Sequence, residues 1–356
     1  MASANAADKV RIGVIGVGIG QAHLKGYAQV PQAQVVALCD INEARAREVA
    51  RDCSVPEADI LTDYRALLDR SDIDAVSVCL PNVLHRPIAV DALQAGKHVI
   101  CEKPLSINAA EAQLIADAAA YNNRKCMVAQ VKRFSAEAQF LKQIIGEGEL
   151  GDIYYAHAVC LRKRGIPGYG GWFTTKALSG GGPLIDIGVH LLDAAWWLAG
   201  CPRPVAAMGA TYAEFGPQGK GQASWSAAQG QLTGTFDVED LAVGLIRFDN
   251  GLTINLEASW ALHRRHETQG ISLYGQRAGC EWTNEVDIFR DQAGVPVSTR
   301  VELPQSDGWA GEMAHFVNCI LNDQTPDPDA EQGVTMMKML DAIYRSAQTK
   351  IEVSID

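Results

Sequence analysis

Apolar positions in the first third of the chain cluster into short runs separated by stretches of helical periodicity. The runs 10–15, 34–39, 75–80, 98–101 and 125–130 are brief and rich in Val, Ile, Leu and Cys, as strands buried on both faces are. Between them, 21–29, 42–53, 63–70, 83–95 and 108–121 read as helices. Asn42 and Asp63 stand where N-caps belong, and Gly96 follows the fourth helix as a C-cap glycine. Strands alternating with helices predict a parallel sheet covered on both sides, wound by right-handed crossovers.

The texture changes after Gly146-Glu147-Gly148. The stretches 152–161, 204–212, 240–248, 252–262 and 269–275 are longer and β-like, and Asp249-Asn250-Gly251 joins two of them as a hairpin turn. Segments 183–199, closed by Gly200, and then 308–321 and 331–348 read as helices. The Gly-, Gln- and Ser-rich stretch from Phe215 to Phe236 reads as a loop or extended arm. The expected fold class is α/β. A Rossmann domain with a doubly wound parallel sheet spans 1–130. A C-terminal α+β domain with a large, mainly antiparallel open sheet spans 131–356, its last helix packing back on the rest of the chain.

A length of 356 residues suits two domains. The net charge of −11 opposes binding to phosphate backbones, and Arg162-Lys163-Arg164 and Arg264-Arg265 are too short to reverse that. No nucleic-acid partner is expected. The nine cysteines are odd in number and contain no C-x-x-C pair, which points to a reducing, cytoplasmic compartment. The lead from Met1 to Lys9 has no apolar core and reads as disordered, and no apolar stretch approaches the roughly 18 residues of a membrane span. His263 and His266 have metal-like spacing but no third ligand, so no metal is expected.

Candidate chemistry begins at the first strand, which runs into Gly16-Val17-Gly18-Ile19-Gly20 and then a helix. Gly16 and Gly18 occupy the first two positions of a G-x-G-x-x-G turn, which lets backbone approach a pyrophosphate at a helix N-terminus. Gln21 stands at the third position, and Gly20 lies one residue early, which shortens the turn. Asp40 ends the second strand 24 residues after Gly16, where a carboxylate accepts hydrogen bonds from an adenosine ribose. Its charge opposes a 2′-phosphate, so NAD is favoured over NADP, with Arg45 and Arg47 read as a solvated helix face. Two further segments carry chemistry. Glu102-Lys103-Pro104 follows a parallel strand at its carboxyl end, where doubly wound sheets bind ligands. In the segment from Gly180 to Asp193, Asp186 and His190 are four apart and share a helix face, with Asp193 close to it.

Taken together, the chain resembles the Gfo/Idh/MocA (glucose-fructose oxidoreductase, inositol dehydrogenase, rhizopine catabolism) family over nearly its whole length. The resemblance rests on the Gly16–Gly18 turn followed by His23, on Pro81-Asn82 with His85, on Glu102-Lys103-Pro104, on Arg133-Phe134, on Gly171-Trp172-Phe173 and on the Gly180 to His190 segment. The shortened glycine turn is a departure. The resemblance implies hydride exchange between NAD and a secondary alcohol or ketone of a sugar or cyclic polyol, inositol-like or pyranose. It assigns catalysis to Lys103, Asp186 and His190. Imidazole has a suitable pKa for a base near neutrality, which favours His190, with Lys103 stabilising the alkoxide and Asp186 orienting the substrate. Lys103 as the base is the competing assignment. Gly16, Gly18, Ile19, Gly20 and Asp40 would hold the cofactor, with Leu80, Pro81, Asn82 and His85 near its second ribose. Glu102 would hold that ribose or the nicotinamide, and Arg133 and Trp172 would close over cofactor or substrate. Trp196-Trp197 reads as core between the domains. Two alternatives share the scaffold: a redox-neutral enzyme that recycles bound NAD, and an inactive dinucleotide-binding regulator. The arm near 216–234 and the open sheet face suggest a homodimer or homotetramer.

Overall fold

The short apolar runs pair side by side. In a computed structural model, which describes residues 9–225 and 234–356, β1 (Val10–Ile15), β2 (Ala33–Cys39), β3 (Asp59–Leu61), β4 (Ala75–Val78), β5 (His98–Glu102) and β6 (Cys126–Ala129) form one sheet. Its order is β3-β2-β1-β4-β5-β6, and every pairing is parallel. The order reverses between β1 and β4, which is the switch point where such sheets bind ligands. Helices α1 (Gly20–Tyr27), α2 (Glu43–Asp52), α3 (Tyr64–Leu68), α4 (His85–Gln94) and α5 (Ala109–Tyr121) connect the strands. The Asn42 and Asp63 side chains accept the capping N–H groups of Arg45 and Arg65. All of the expected lead except Lys9, and part of the expected arm, 226–233, lie outside the described residues.

The chain divides into two compact units, Met1–Phe134 with Asp307–Val334, and Ser135–Ser306 with Thr335–Asp356. The first unit thus combines the region around the expected 1–130 with a segment from late in the chain. The first unit takes in a helix from late in the chain, Gly308–Leu321, whose Met313, Phe316 and Val317 join the core of Ile12, Val14 and Leu24. Gly26 lets that helix approach α1, because a Cβ there would lie 2.7 Å from the Trp309 carbonyl oxygen. An apolar helix face needs cover, and proximity in sequence does not decide which element supplies it.

The second unit opens with α6 (Ala136–Gly146), β7 (Ile153–Leu161) and a short helix, α7 (Lys176–Ser179). The expected helix over 183–199 forms in two parts, a π-helix at Leu184–Gly188 and α8 (Val189–Leu198). The remaining strands are β8 (Pro204–Tyr212), β9 (Leu241–Phe248), β10 (Thr253–Ser259), β11 (Thr268–Gly275), β12 (Ala278–Trp282), β13 (Val286–Gln292), β14 (Val295–Val301) and β15 (Val353–Ser354). They complete a nine-stranded sheet in the order β14-β13-β12-β11-β7-β10-β9-β8-β15. Only β7 and β10 pair in parallel. The β9–β10 hairpin turns at Asp249-Asn250-Gly251, with Gly251 at φ +90°. Buried α8 contacts β7, β10 and β11. By register, the exposed Met208, Leu245, Tyr274 and Phe289 share one sheet face. No helix among the described residues is long and apolar enough to cross a membrane.

His98 at the head of β5 gives the first unit an acid-sensitive point. Its Nδ1 accepts the Lys125 N–H at 2.9 Å, and burial, aided by the charges of Arg124 and Lys125, lowers its pKa to about 4. An unfolded histidine titrates near 6.5, so the stability from the neutral ring is complete above about 6.5 and is lost as pH falls towards about 4. The thermal midpoint should therefore drop between neutrality and pH about 4.5. In His98→Asn, whose amide oxygen can keep the acceptor, the drop should be smaller, and equal drops in the two proteins would refute this account.

Candidate active site

At the switch point, the glycine turn is shaped by what surrounds it. Gly16 has φ +91°, and a Cβ there would lie 2.2 Å from the Cys79 carbonyl oxygen. Gly18 is exposed, and a Cβ there would meet nothing within 4 Å. Ile19 beside it is 45% exposed. Gly20 is the first residue of α1, where a Cβ would lie 3.0 Å from the Val14 side chain, so Gly20 provides the close helix–strand packing that the third glycine of the motif normally provides. No side chain caps α1; in its first turn the Gln21 and Ala22 N–H groups donate to the carbonyl oxygens of Gly18 and Ile19 at 3.4 and 2.9 Å, and the positive end of the helix lies at the glycine turn. At the end of β2, one Asp40 oxygen accepts the Val17 N–H at 3.0 Å and the other accepts the Asn42 N–H at 2.9 Å. A carboxylate oxygen accepts more than one hydrogen bond, so both keep capacity for ribose hydroxyls. This turn, helix start and acid fit a dinucleotide.

At the end of β5, Lys103 is the one partly exposed residue between Val99 and Ser106. Glu102 beside it is 5% exposed. One Glu102 oxygen faces His23 Nε2 at 3.0 Å, and the other accepts the Lys103 N–H at 3.1 Å. The Lys103–Pro104 peptide is cis. Past the end of β4, Leu80 and Pro81 are partly exposed and Asn82 is buried.

The second unit presents Asp186 and His190. Between Gly181 and Leu198 they alone reach the surface, and Asp193 is buried at 2% exposure. The π-helix sits at Asp186, and irregular turns of this kind recur at functional sites. Trp260, fully buried after β10, donates its indole N–H to Asp186 Oδ2 at 3.0 Å. The glycines before the π-helix have no room for side chains. A Cβ on Gly181 would lie 2.0 Å from the Tyr344 hydroxyl, and one on Gly182 would lie 2.0 Å from the Glu239 carbonyl oxygen. The buried Glu239 carboxylate accepts the N–H groups of Gly182 and Leu184 at 2.9 and 3.1 Å and the Tyr344 hydroxyl at 2.8 Å. Burial raises the Glu239 pKa against these hydrogen bonds, which lower it. Sequence reasoning missed Glu239, Trp260 and Tyr344, because each acts on the Gly180 to His190 segment from far along the chain.

Comparison with known proteins now bears on this geometry. Residues 10–130 match the NAD-binding Rossmann-fold domain of the Gfo/Idh/MocA oxidoreductases, and 138–281 match that family's C-terminal domain. The chain belongs to the Gfo/Idh/MocA family. It is similar to D-glucoside 3-dehydrogenase of Escherichia coli (strain K12), at 33% identity over 100% of both chains. It is also similar to levoglucosan dehydrogenase of Pseudarthrobacter phenanthrenivorans (strain DSM 18606 / JCM 16027 / LMG 23796 / Sphe3), at 30% identity over 75% of this chain and 72% of that one. A solved levoglucosan dehydrogenase in complex with NADH and levoglucosan superposes with a TM-score of 0.85, at 26% identity over 98% of this chain and 99% of that one. The first unit is accordingly the NAD-binding part of a Gfo/Idh/MocA oxidoreductase.

Two residues expected at the cofactor are buried and have partners within the protein. His85 is fully buried, with Nδ1 2.8 Å from the Pro104 carbonyl oxygen and Nε2 2.7 Å from that of Leu80, so it braces backbone and offers no face to a ribose. Arg133 is 1% exposed, its guanidinium 2.5 Å from Asp327 and 2.7 Å from Gln332, which ties down the late segment of the first unit and leaves no surface to close over a ligand. Glu102, 5% exposed, has one protein partner on each oxygen. Trp172 lies in the second unit, partly exposed and stacked on Phe173 at 3.7 Å. Trp196 and Trp197 are buried in α8 of that same unit.

Gly18 separates folding from binding. Its φ lies outside the left-handed region and a side chain there projects into open space, so Gly18→Val should keep the wild-type thermal midpoint. It should weaken NAD binding, read by quenching of intrinsic fluorescence, by about tenfold or more, since about 1.4 kcal/mol of lost contact is tenfold. Unchanged affinity would remove the turn from the cofactor site.

Proposed function

We propose that this protein is a sugar dehydrogenase that oxidises a secondary hydroxyl of a pyranose or cyclic polyol to the ketone, with NAD favoured over NADP. The observation that carries the reading is that Asp186 and His190 are the only surface-reaching residues of an otherwise buried stretch, while Lys103 alone emerges from another. The full-length similarity to a D-glucoside 3-dehydrogenase puts pyranosides first among the substrates to try. NAD, when bound, supplies the nicotinamide carbon that accepts the carbinol hydride. Gly16, Gly18, Ile19, Gly20 and Asp40 hold it, with Leu80, Pro81 and Asn82 near the second ribose and Trp172 over cofactor or substrate. His190 takes the hydroxyl proton as the C–H bond breaks. The Lys103 ammonium stabilises charge developing on that oxygen. Asp186, fixed by Trp260, binds a neighbouring hydroxyl and sets which carbon is presented. The Asp40 carboxylate repels a 2′-phosphate, and Arg47 is drawn to Glu43 at 2.6 Å rather than towards a ligand.

The same reading extends to assembly and location. Exposed apolar side chains gathered on one sheet face suit self-association, and we assign the homo-oligomer contact to the face bearing Met208, Leu245, Tyr274 and Phe289. Nine free thiols, eight of them buried, suit a reducing cytoplasm.

NADH absorbance with methyl glucopyranosides, 1,6-anhydroglucose and inositols is expected to rise with NAD for at least one pyranoside, and much less with NADP. Cofactor that copurifies while no sugar yields net NADH would point instead to a recycling enzyme. Lys103→Ala and His190→Ala should each lower kcat by about 10²- to 10⁴-fold. A variant that turns over like wild type would strike its residue from the assignment. Leu245→Asp should shift the sedimenting species towards monomer, and an unchanged sedimentation coefficient would place the contact elsewhere.

A further inference from the structure

Behind Lys103, in the first unit, lies a file of buried polar side chains that the proposed chemistry does not use. His23 on α1 is 0% exposed. Its Nε2 is 3.0 Å from Glu102 Oε1, and its Nδ1 is 3.2 Å from the hydroxyl of Ser77 on β4. The Ser77 hydroxyl is 2.9 Å from the Tyr27 hydroxyl at the end of α1. Trp309, on the late helix, packs on the His23 ring with centroids 5.6 Å apart. Burial raises the Tyr27 pKa, so that hydroxyl keeps its proton and can donate. One direction of donation satisfies the whole file. Tyr27 donates to Ser77, Ser77 donates to His23 Nδ1, and His23 Nε2–H donates to Glu102 Oε1. The other Glu102 oxygen accepts the Lys103 backbone N–H.

We propose that His23 is a positioning residue: through Glu102 it fixes the backbone from which Lys103 emerges. The argument is one of cost and convergence. Four polar groups taken out of water gain little net stability over apolar side chains of similar volume, so their advantage lies in directed geometry. Here α1, β4 and β5 each contribute to the file. It ends on the amide of the residue whose side chain alone reaches the surface between Val99 and Ser106. A carboxylate with one free oxygen could rotate, whereas one held at both oxygens cannot.

The inference rests on Lys103 acting in the reaction, and a double-mutant cycle separates the two. His23→Gln places an amide N–H near the Nε2 position and keeps the Glu102 contact, whereas His23→Asn keeps only the Ser77 side. With methyl β-D-glucopyranoside as the probe, or 1,6-anhydroglucose if that alone turns over, His23→Asn should lower kcat about 10- to 100-fold with KM for NAD unchanged. His23→Gln should stay within about threefold of wild type. In a Lys103→Met background, His23→Asn should cost nothing further. If Lys103→Met leaves kcat unchanged, the catalytic reading fails. If Lys103→Met is impaired but His23→Asn adds its full factor in both backgrounds, the positioning role fails while the catalytic reading stands. A substrate-free readout is amide exchange in the peptide spanning 99–107, which should quicken in His23→Asn while peptides of β1 and α2 keep wild-type protection. Quickening everywhere, or in both variants alike, would make His23 merely structural. Should His23→Asn not fold, Ser77→Ala removes the contact behind the ring, and the partner of the Tyr27 hydroxyl with it, while keeping the His23–Glu102 contact. It should give a smaller loss of kcat, about threefold, again absent in Lys103→Met, and a full loss there would overturn the proposal.

Discussion

Carboxylates whose oxygens are held by neutral donors, mostly backbone N–H groups, organise the functional parts of this protein. Asp40 holds Val17 and Asn42, Glu102 holds Lys103 and faces His23, Glu239 holds Gly182 and Leu184, and Asp240 holds Phe215 and Gly216. Withdrawing a carboxylate from water costs several kcal/mol unless its lone pairs are satisfied, and charge-assisted bonds from N–H groups are strong enough to do it. Such an acid fixes loop backbone without adding a second charge to neutralise. Most of the guanidinium–carboxylate pairs, in contrast, lie nearer the surface, as between Arg11 and Asp74 or Arg300 and Asp287, where each contributes little.

Glycines are the counterpart of these acids. Gly181 and Gly182 come so close to Tyr344 and Glu239 that no Cβ fits, and that closeness lets the carboxylate reach the N–H groups of the loop. Gly16 makes the same accommodation against the Cys79 carbonyl. Gly18 differs, since a Cβ there would touch nothing in the protein. Crowded glycines thus mark positions fixed by the fold, whereas at Gly18 the protein sets no such limit, which suits the ligand approach proposed there.

What could be read from the sequence follows the range of the interaction that determines each feature. β1, β2, β4, β5 and β6 are short apolar runs with local caps and turns, and all were legible. The glycine turn and Asp40 were legible too, since the motif lies within one strand–helix–strand unit. The late helix carrying Met313 and Phe316 was legible as a helix but not as part of the first unit, because its partner surface is formed almost three hundred residues earlier. β12, β13 and β14 gave little signal, since β13 and β14 expose most of their residues and lack a clean two-residue period. Glu239 and Trp260 had no local signature, because their partners are 55 to 74 positions away. The ligand contact expected of Arg133 comes from the family resemblance alone, and nothing local in the sequence marks Asp327, which its guanidinium meets inside the unit.

Lys103 shows how these constraints combine. On its N-terminal side the backbone is gripped by Glu102, backed by His23. On its C-terminal side the Pro104 carbonyl faces His85, whose other nitrogen faces the Leu80 carbonyl. A neutral imidazole can donate to only one of those two oxygens, and burial lowers the His85 pKa although both carbonyls favour the charged ring. His85 therefore satisfies one carbonyl fully at a time, and it links the end of β4 to the residue after Lys103. Two buried imidazoles, one on each flank, brace the backbone from which the partly exposed lysine side chain emerges. A backbone fixed in this way suits the role proposed for Lys103, since a donor to a short-lived alkoxide must already be in place when the charge appears.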